Sequence, residues 1–251
     1  MEIKVLASGS TGNAYTISDG ATTLLLDAGI SLKDIRVGTG FKVRQIAGAL
    51  ITHEHMDHSK AMKDLSRMGV DIYASRGTME ACGLCRSQEE WAAAGPVGKY
   101  GVSGHRFHAV KALEELDIGT FRILPFDVEH DAVEPLGFLI TSKATMEKLV
   151  YFTDTYFVRY RFNGLNYIMG ECNYTDEGIK RSLEEGSIPL EFIPRLVRSH
   201  MSLENFLNFL RANDLREVRQ IWLLHLSENN SEAQRMKEEV QRLTGTEVYV
   251  C

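Results

Sequence analysis

The chain has 251 residues, of which 44% are apolar and 25% are charged, and its formal net charge is -6. This length fits one domain with a full core. The acidic net charge argues against a protein that binds the phosphates of long duplex nucleic acid. The sequence has no cationic start with a following apolar segment and no stretch near the roughly 18 apolar residues of a membrane span. We therefore expect neither a secretory signal nor a membrane partner.

The first half of the chain alternates strand signals with turns. Asp19-Gly20 separates two apolar runs and predicts a hairpin. Beyond Asp57 the apolar residues recur at helical spacing, which predicts a helix. The predicted strands of this half are residues 4–7, 15–18, 22–26, 46–52 and 70–74.

The second half begins with a glycine-rich stretch, residues 86–104, that predicts a loop. Ser202 is placed as the N-cap of a helix, and Ser231 with Gln234 fits the capping box of another that reaches about Leu243. The predicted strands are residues 116–118, 121–128, 136–141, 149–153, 167–169, 218–224 and 247–250. Strands with helices between them predict a layered α/β or α+β fold, and the absence of a linker in the sequence favours a single domain over residues 1–251.

The segment His53-Glu54-His55-Met56-Asp57-His58 packs four potential metal ligands into six residues. It follows an apolar strand and precedes a helix. His53 and His55 point to one face because side chains alternate along an extended segment, and Asp57 and His58 fall in the turn that enters the helix. Unpaired, these groups would be costly beside a buried strand. The motif therefore predicts a metal site, and imidazole with carboxylate suits zinc and its neighbours.

Four further polar residues each end an apolar run, where layered α/β domains place their active sites. A single residue of this kind is usually a cap or a turn residue, but as a set they can complete a site for two ions. They are Asp27, His130, Asp154 and His225.

With these motifs the sequence resembles the metallo-β-lactamase superfamily over nearly its whole length. The resemblance implies a four-layer αββα sandwich and two divalent metal ions, zinc in the first place and manganese as the alternative. One ion would bind to His53, His55 and His130, and the other to Asp57, His58 and His225. Asp154 would bridge the two ions.

Three parts of the sequence, the second made of two segments, are similar to the YycJ-type exonuclease branch of that superfamily. They are the start at residues 6–13, Glu171-Cys172-Asn173-Tyr174 with Ser199-His200-Met201-Ser202, and residues 225–230. Met201 departs mildly from the branch, which has leucine there. The second part also resembles the endonucleases that process the 3′ end of transfer RNA, in which Glu171 and His200 match residues beside the phosphate. Asn173-Tyr174 departs from that group, so a transfer-RNA substrate is not expected.

The resemblance implies hydrolysis of phosphodiester bonds in single-stranded DNA or RNA. A hydroxide between the ions would attack, Asp57 would orient it, and Asp27 would fix the tautomer of a ligand imidazole. His200 would stabilise the transition state or protonate the leaving oxygen, with Glu171 as its orienting partner.

Further expectations concern substrate contacts and association. Ser10, Asn13 and Asn173 are candidate substrate contacts, although a plain turn explains the loop at residues 8–13 equally well.

Residues 156–162 interleave aromatics with arginines, which fits base stacking and phosphate pairing or, alternatively, a partly buried strand or a homodimer contact. The CxxC spacing of Cys82 and Cys85 lacks the second pair of a zinc knot. Small apolar residues on a short helix explain it, and a redox role is the alternative. No role is assigned to His105 or His108. Four cysteines do not suggest a disulfide scaffold, so a cytoplasmic location is expected.

The competing interpretations are hydrolysis of a cyclic nucleotide and hydrolysis of a thioester or lactam. The lack of a signal peptide argues against a secreted antibiotic hydrolase. His55 argues against a di-iron oxidoreductase, which usually carries glutamate there. A complete set of ligands argues against a non-catalytic binding module.

Overall fold

The computed structural model describes residues 1–84 and 104–251. Of the loop predicted at residues 86–104, only residue 104 is among the described residues. Cys85 also lies outside them. The chain divides into two compact units, which are described separately. The first comprises Met1–Asp127, Ala132–Leu136 and Thr141–Met146, and the second comprises Val128–Asp131, Gly137–Ile140 and Glu147–Cys251.

The first unit contains a six-stranded sheet whose strands lie side by side in chain order. The first three strands pair antiparallel with one another, and the third to sixth strands pair in parallel. Two further strands, β7 and β8, form an antiparallel pair. The strands are β1 Glu2–Ala7, β2 Ala14–Ser18, β3 Thr23–Leu26, β4 Ile46–Leu50, β5 Ile72–Ser75, β6 Phe107–Val110, β7 Leu116–Ile118 and β8 Phe121–Asp127.

Short helices of the first unit contribute to one buried apolar cluster with the sheet. Ile35, Leu65 and Met79 from three different helices belong to this cluster together with Leu25 and Ala49 from the strands. Burial of each large side chain contributes about 1.5–3 kcal/mol. The helices are α1 Leu32–Gly38, α2 Met56–Ser59, α3 Met62–Arg67 and α4 Arg76–Ala81. The helical spacing of apolar residues after Asp57 corresponds to two short helices, α2 and α3. The sequence did not predict α1 or α4.

The second unit contains four parallel strands in the order β10-β11-β12-β13. All five residues of β11 are buried, as expected for a parallel strand that is covered on both faces. These strands are β10 Lys148–Phe152, β11 Tyr167–Glu171, β12 Gln220–Leu224 and β13 Glu247–Val250. Strand β9, Leu136–Ser142, has residues in both units.

Two of the four helices of the second unit begin at side-chain N-caps, Thr175 and Ser202. The Ser202 side chain accepts the Asn205 N–H, which confirms the predicted N-cap. The predicted capping box at Ser231 is wrong, because the last helix has Glu232 as its N-cap residue; Thr175 Oγ1 donates to the Glu232 carboxylate and Arg235 pairs with it. The helices are α5 Asp176–Glu184, α6 Ile193–Ser199, α7 Leu203–Ala212 and α8 Ala233–Thr244.

Within residues 1–84 and 104–251, every helix falls short of the length and apolar character that a membrane crossing requires.

The hairpin turn between β2 and β3 yields a prediction on acid stability. The Asp19 carboxylate accepts the N–H groups of Ala21 and Thr22 and the hydroxyls of Thr120 and Ser142, at 2.7–3.1 Å. Burial raises its pKa, but these hydrogen bonds outweigh that effect and lower the pKa from 3.8 to about 2. A carboxyl with a lowered pKa in the folded state stabilises the fold above its unfolded pKa of roughly 4, and this contribution is lost as the pH falls towards about 2.

We therefore expect Asp19→Asn to lower the free energy of unfolding by about 1 kcal/mol at neutral pH. The difference from the wild type should shrink below about pH 4. Urea unfolding followed by circular dichroism at neutral pH and near pH 3 measures both values. A gap that stays constant over this range would show that the ionised carboxylate is not the cause.

Candidate metal centre

The histidine motif begins just after β4 and runs into α2, as predicted. His55 is the residue before that helix, and Asp57 and His58 lie in its only turn. His53 and His58 are buried, whereas His55 and Asp57 are partly accessible. The first unit thus presents its four potential ligands on one short strand-to-helix connection.

His53 and His55 bring two imidazole nitrogens together. His53 Nε2 lies 3.1 Å from His55 Nδ1, and the two rings are nearly perpendicular. Two nitrogens that each lie about 2.0–2.1 Å from one tetrahedral zinc ion are roughly 3.3 Å apart. The spacing therefore fits two ligands of one ion.

His58 is oriented by the buried carboxylate of Asp27. Its Nδ1 lies 2.8 Å from Asp27 Oδ2, and Asp27 also accepts the Thr52 N–H at 2.8 Å. A carboxylate accepts, so His58 Nδ1 carries the proton and the lone pair is on Nε2, which lies 3.4 Å from Asp57 Oδ2. This is the geometry expected of Asp27 as the group that fixes a ligand tautomer.

Three of the predicted site residues have left-handed backbone conformations. Asp27, Asp154 and His225 have φ angles of +55°, +47° and +53°. Each follows the end of a strand, β3, β10 and β12 respectively. Such conformations are uncommon for residues other than glycine and cluster at functional sites, where the surrounding fold sustains the strain. Phe41, Leu113 and Met146 share this conformation without being predicted site residues, so it marks local strain and does not identify a site by itself.

The second unit gathers four titratable side chains, three at the ends of its parallel strands and one, His200, directly after a helix. One ligand atom of each lies within 4.8 Å of the others, a set that can hold a metal ion: Asp154, Glu171, His200 and His225. His225 Nδ1 lies 3.5 Å from Asp154 Oδ1 and 3.2 Å from Glu171 Oε1. The rings of His200 and His225 are stacked with centroids 5.4 Å apart.

Glu171 is wholly buried, and protein groups engage both of its oxygens. His200 Nδ1 lies 2.7 Å from Oε1, and Oε2 accepts the N–H groups of Thr155 at 2.8 Å and Met201 at 3.3 Å. Burial lowers the pKa of His200, but the charge and hydrogen bond of Glu171 raise it further, so the net shift is upward. Burial raises the pKa of Glu171, and His200 brings it below its ordinary value. The two shifts favour the carboxylate beside the imidazolium, and because protein groups engage both oxygens, Glu171 has little capacity left for a metal.

His130 shows a different arrangement that favours the neutral ring. Its Nδ1 lies 3.1 Å from the Ser199 carbonyl oxygen, so Nδ1–H donates and the lone pair is on Nε2. Nε2 lies 3.7 Å from Asp154 Oδ2. Burial is the largest cause of the lowered pKa of His130. A neutral imidazole with an oriented lone pair is the form that binds metal.

The three candidate substrate contacts differ in accessibility. Ser10 is exposed, but Asn13 and Asn173 are buried. The Asn13 side chain contacts Gly9 and His58 Nε2, and Asn173 Nδ2 donates to the His225 carbonyl oxygen at 2.7 Å. The Asn13 amide is engaged at both its oxygen and its nitrogen, whereas Asn173 Oδ1 is buried without a hydrogen-bond partner among the described residues. Contact of either residue with substrate stays a prediction.

Two threonines that were not predicted organise the candidate ligands. Thr52 Oγ1 lies 3.0 Å from both Asp27 Oδ1 and His53 Nδ1, and the Thr155 N–H binds Glu171. Each is next to a predicted residue, His53 or Asp154. A hydroxyl at the end of an apolar strand was the only signal that could have identified them.

Gly29 allows the closest backbone approach beside the histidine motif. A Cβ atom there would lie 1.6 Å from the Asp57 carbonyl oxygen, which itself accepts the Asn13 N–H at 2.7 Å. We expect Gly29→Ala to lower the free energy of unfolding by about 3 kcal/mol or more. The melting temperature should fall by roughly 6–12 °C.

Gly40→Ala is the matched control for scanning calorimetry. Gly40 has φ of +59° and no atom within 4 Å of an added Cβ, so only the backbone cost of about 1–2 kcal/mol applies. Equal losses in the two variants would contradict the close approach at Gly29.

Comparison with known proteins adds the family context. The model of a family described as the Beta-lactamase superfamily domain matches residues 22–226. The chain is 27% identical over 239 residues to exodeoxyribonuclease YycJ of Bacillus anthracis, covering 92% of this chain and 84% of the relative. It is 29% identical over 238 residues to exodeoxyribonuclease WalJ of Streptococcus pneumoniae, covering 90% and 82%.

A solved structure is similar over almost the whole chain. The metallo-β-lactamase fold protein YhfI of Bacillus subtilis aligns with a TM-score of 0.69 at 16% identity, covering 99% of this chain and 95% of that one. This similarity confirms the predicted α/β fold class, and the family model confirms the resemblance to the superfamily.

Proposed function

Since the chain belongs to the β-lactamase superfamily, we propose that it is a metal-dependent phosphodiesterase of the exonuclease type that acts on single-stranded DNA. The relatives named exodeoxyribonuclease cover most of this chain and support the choice of substrate. The net charge of -6 favours a single strand over a long duplex.

Two divalent ions, zinc in the first place and manganese as the alternative, are part of the proposal. The donor chemistry fits them, because imidazole and carboxylate are the groups that such ions bind. When bound, the ions would lower the pKa of water and polarise a phosphoryl oxygen. The proposed ligands are those that the family resemblance implies: His53, His55, Asp57, His58, His130, Asp154 and His225.

The residues of the chain would position the reacting groups. Asp57 would orient the attacking water, and Asp27 would keep the His58 lone pair on Nε2 through its 2.8 Å contact with Nδ1. His200, fixed at Nδ1 by Glu171, would use Nε2 to stabilise the charge on the phosphate or to protonate the leaving oxygen. Glu171 is then a positioning residue.

The observation that carries the proposal is the His200–Glu171 contact of 2.7 Å. A wholly buried carboxylate holds a partly accessible imidazole, so one ring nitrogen is fixed while the other remains for a substrate. Hydrolysis of a phosphodiester develops negative charge on the phosphate and requires a proton for the leaving oxygen. An imidazole held in this way can stabilise that charge and can donate that proton.

A cytoplasmic location completes the proposal. Cys82, Cys172 and Cys251 are free thiols, and free thiols are typical of a reducing compartment.

A panel of substrates tests the proposal. Purified protein should hydrolyse bis-p-nitrophenyl phosphate and shorten an end-labelled single strand, and it should prefer both to a cyclic nucleotide, a thioester and a cephalosporin. A ladder that shortens from one end would support exonuclease action, whereas internal fragments would contradict it. A clear preference for the thioester would overturn the assignment to phosphodiesters.

A further inference from the structure

Two aromatic rings are exposed directly after Asp154 in the second unit. The Tyr156 and Phe157 side chains are 37% and 51% exposed, whereas Val158 and Phe162 in the same segment are buried. Residues 156–162 form no strand, so a partly buried strand is not their explanation. The buried members anchor the segment, and the exposed rings are left available to a partner.

Hydrogen bonds hold the backbone of these two residues in place. The Thr155 hydroxyl donates to the Phe157 carbonyl oxygen at 2.8 Å and accepts the Phe157 N–H at 3.3 Å. The Asn205 amide donates to the Tyr156 carbonyl oxygen at 3.0 Å. The rings therefore project from a fixed turn, and a fixed turn lowers the ordering cost of binding.

The same network connects the rings to the proposed catalytic group. Thr155 donates its N–H to Glu171 Oε2, and Glu171 Oε1 contacts His200 Nδ1. Because consecutive residues span at most about 3.6 Å each, Tyr156 lies within roughly 7 Å of Asp154 along the chain. A base that stacks here belongs to a nucleotide close to the scissile phosphate.

The charge of the segment fits a nucleic acid. Residues 155–163 contain Arg159 and Arg161 and no acidic residue. Arg159 pairs with Glu129, and Arg161 is exposed. Aromatic rings beside arginine are the combination that binds single strands without sequence preference.

We propose that Tyr156 and Phe157 form a stacking platform for bases of a single-stranded DNA substrate. This inference rests on the proposed function, because it names what the same site recognises. Stacking is tolerant of sequence, since every base has an aromatic face, and blunt duplex DNA, whose bases are already stacked, would gain nothing from the platform.

Binding of labelled oligonucleotides tests the platform without requiring turnover. Fluorescence anisotropy would compare a thymidine dodecamer with an abasic strand of equal length, on the wild type and on Tyr156→Ala, Phe157→Ala and Phe157→Trp. We expect each alanine variant to weaken binding of the thymidine strand by about 5- to 150-fold and to bind the abasic strand unchanged. Phe157→Trp should retain binding.

The matched control is Phe192→Ala, which removes a phenylalanine that is 52% exposed elsewhere in the second unit. It should bind both strands like the wild type. Equal loss on both strands, or no loss on either, would overturn the platform. A switch from dimer to monomer in Phe157→Ala by light scattering, without a base-dependent loss, would identify the patch as a homodimer contact and also overturn it.

Hydrolysis of bis-p-nitrophenyl phosphate, which has no bases, separates this inference from the proposed function. Phe192→Ala should hydrolyse it at the wild-type rate. If that activity is absent from all the proteins while base-dependent binding holds, the proposed function fails and the platform stands. If the activity is present and binding is insensitive to both rings, the platform alone fails.

Discussion

Replacement of His200 by alanine should lower the turnover of a phosphodiester by about 100- to 10,000-fold, the range that proton transfer by a positioned side chain contributes. The variant should keep its metal ions, because the proposed ligands do not include His200. Its contact with Glu171 would be lost, but the fold at this point depends on the other hydrogen bonds of Glu171, to Thr155 and Met201. Steady-state kinetics with metal analysis of the same sample measures both quantities.

His108→Ala is the matched control, since His108 lies in the first unit on β6 and is assigned no role. It should retain both turnover and metal. Turnover of His200→Ala within a few-fold of the wild type would refute the catalytic role. Glu171→Gln gives a second readout: if Glu171 acts by positioning His200, its loss should lower kcat more than it changes KM and should alter the pH profile.

The second large effect is expected at Asp154. Replacement by alanine should reduce the bound metal and lower turnover by more than about 100-fold. Loss of a residue that only hydrogen-bonds to a metal ligand costs about 10- to 100-fold, and the proposed bridging carboxylate would contribute more than such a residue. The left-handed backbone at Asp154, with φ of +47°, indicates that the fold sustains strain to place this carboxylate.

Inductively coupled plasma mass spectrometry would give the number of ions per chain for Asp154→Ala and for Asp214→Ala. Asp214 is a surface carboxylate that pairs with Arg216, and its removal should leave two ions and full activity. An Asp154→Ala protein with a complete metal complement would contradict the bridging role.

The sequence predicts elements whose signal is local. The strand that ends before His53 and the N-cap at Ser202 both appear as predicted, because apolar patterning and capping chemistry act within a few residues. The helices α1 and α4 were missed, since each has only six or seven residues and too few turns to show a periodic stripe. Ser231 matches a capping box, but Glu232 is the N-cap residue, and its carboxylate contacts Thr175, which is distant in sequence, and Arg235 within the helix.

The candidate site shows the same limit. His53 to His58 is dense enough to be identified as a motif, whereas the roles of Thr52 and Thr155 depend on partners that are distant in sequence. The positive φ angles of Asp27 and His225 are likewise invisible in the sequence, because a backbone conformation that other residues rarely adopt is imposed by the surrounding fold.

The most direct test of the account is the metal dependence of strand degradation. The purified protein would be assayed on an end-labelled single strand before chelation, after chelation and removal of the chelator, and after return of zinc or manganese. We predict about two ions per chain at the start, loss of degradation with the ions, and recovery when either metal returns. Undiminished degradation by the metal-free protein, or full metal occupancy without hydrolysis of any phosphodiester, would contradict the central claim.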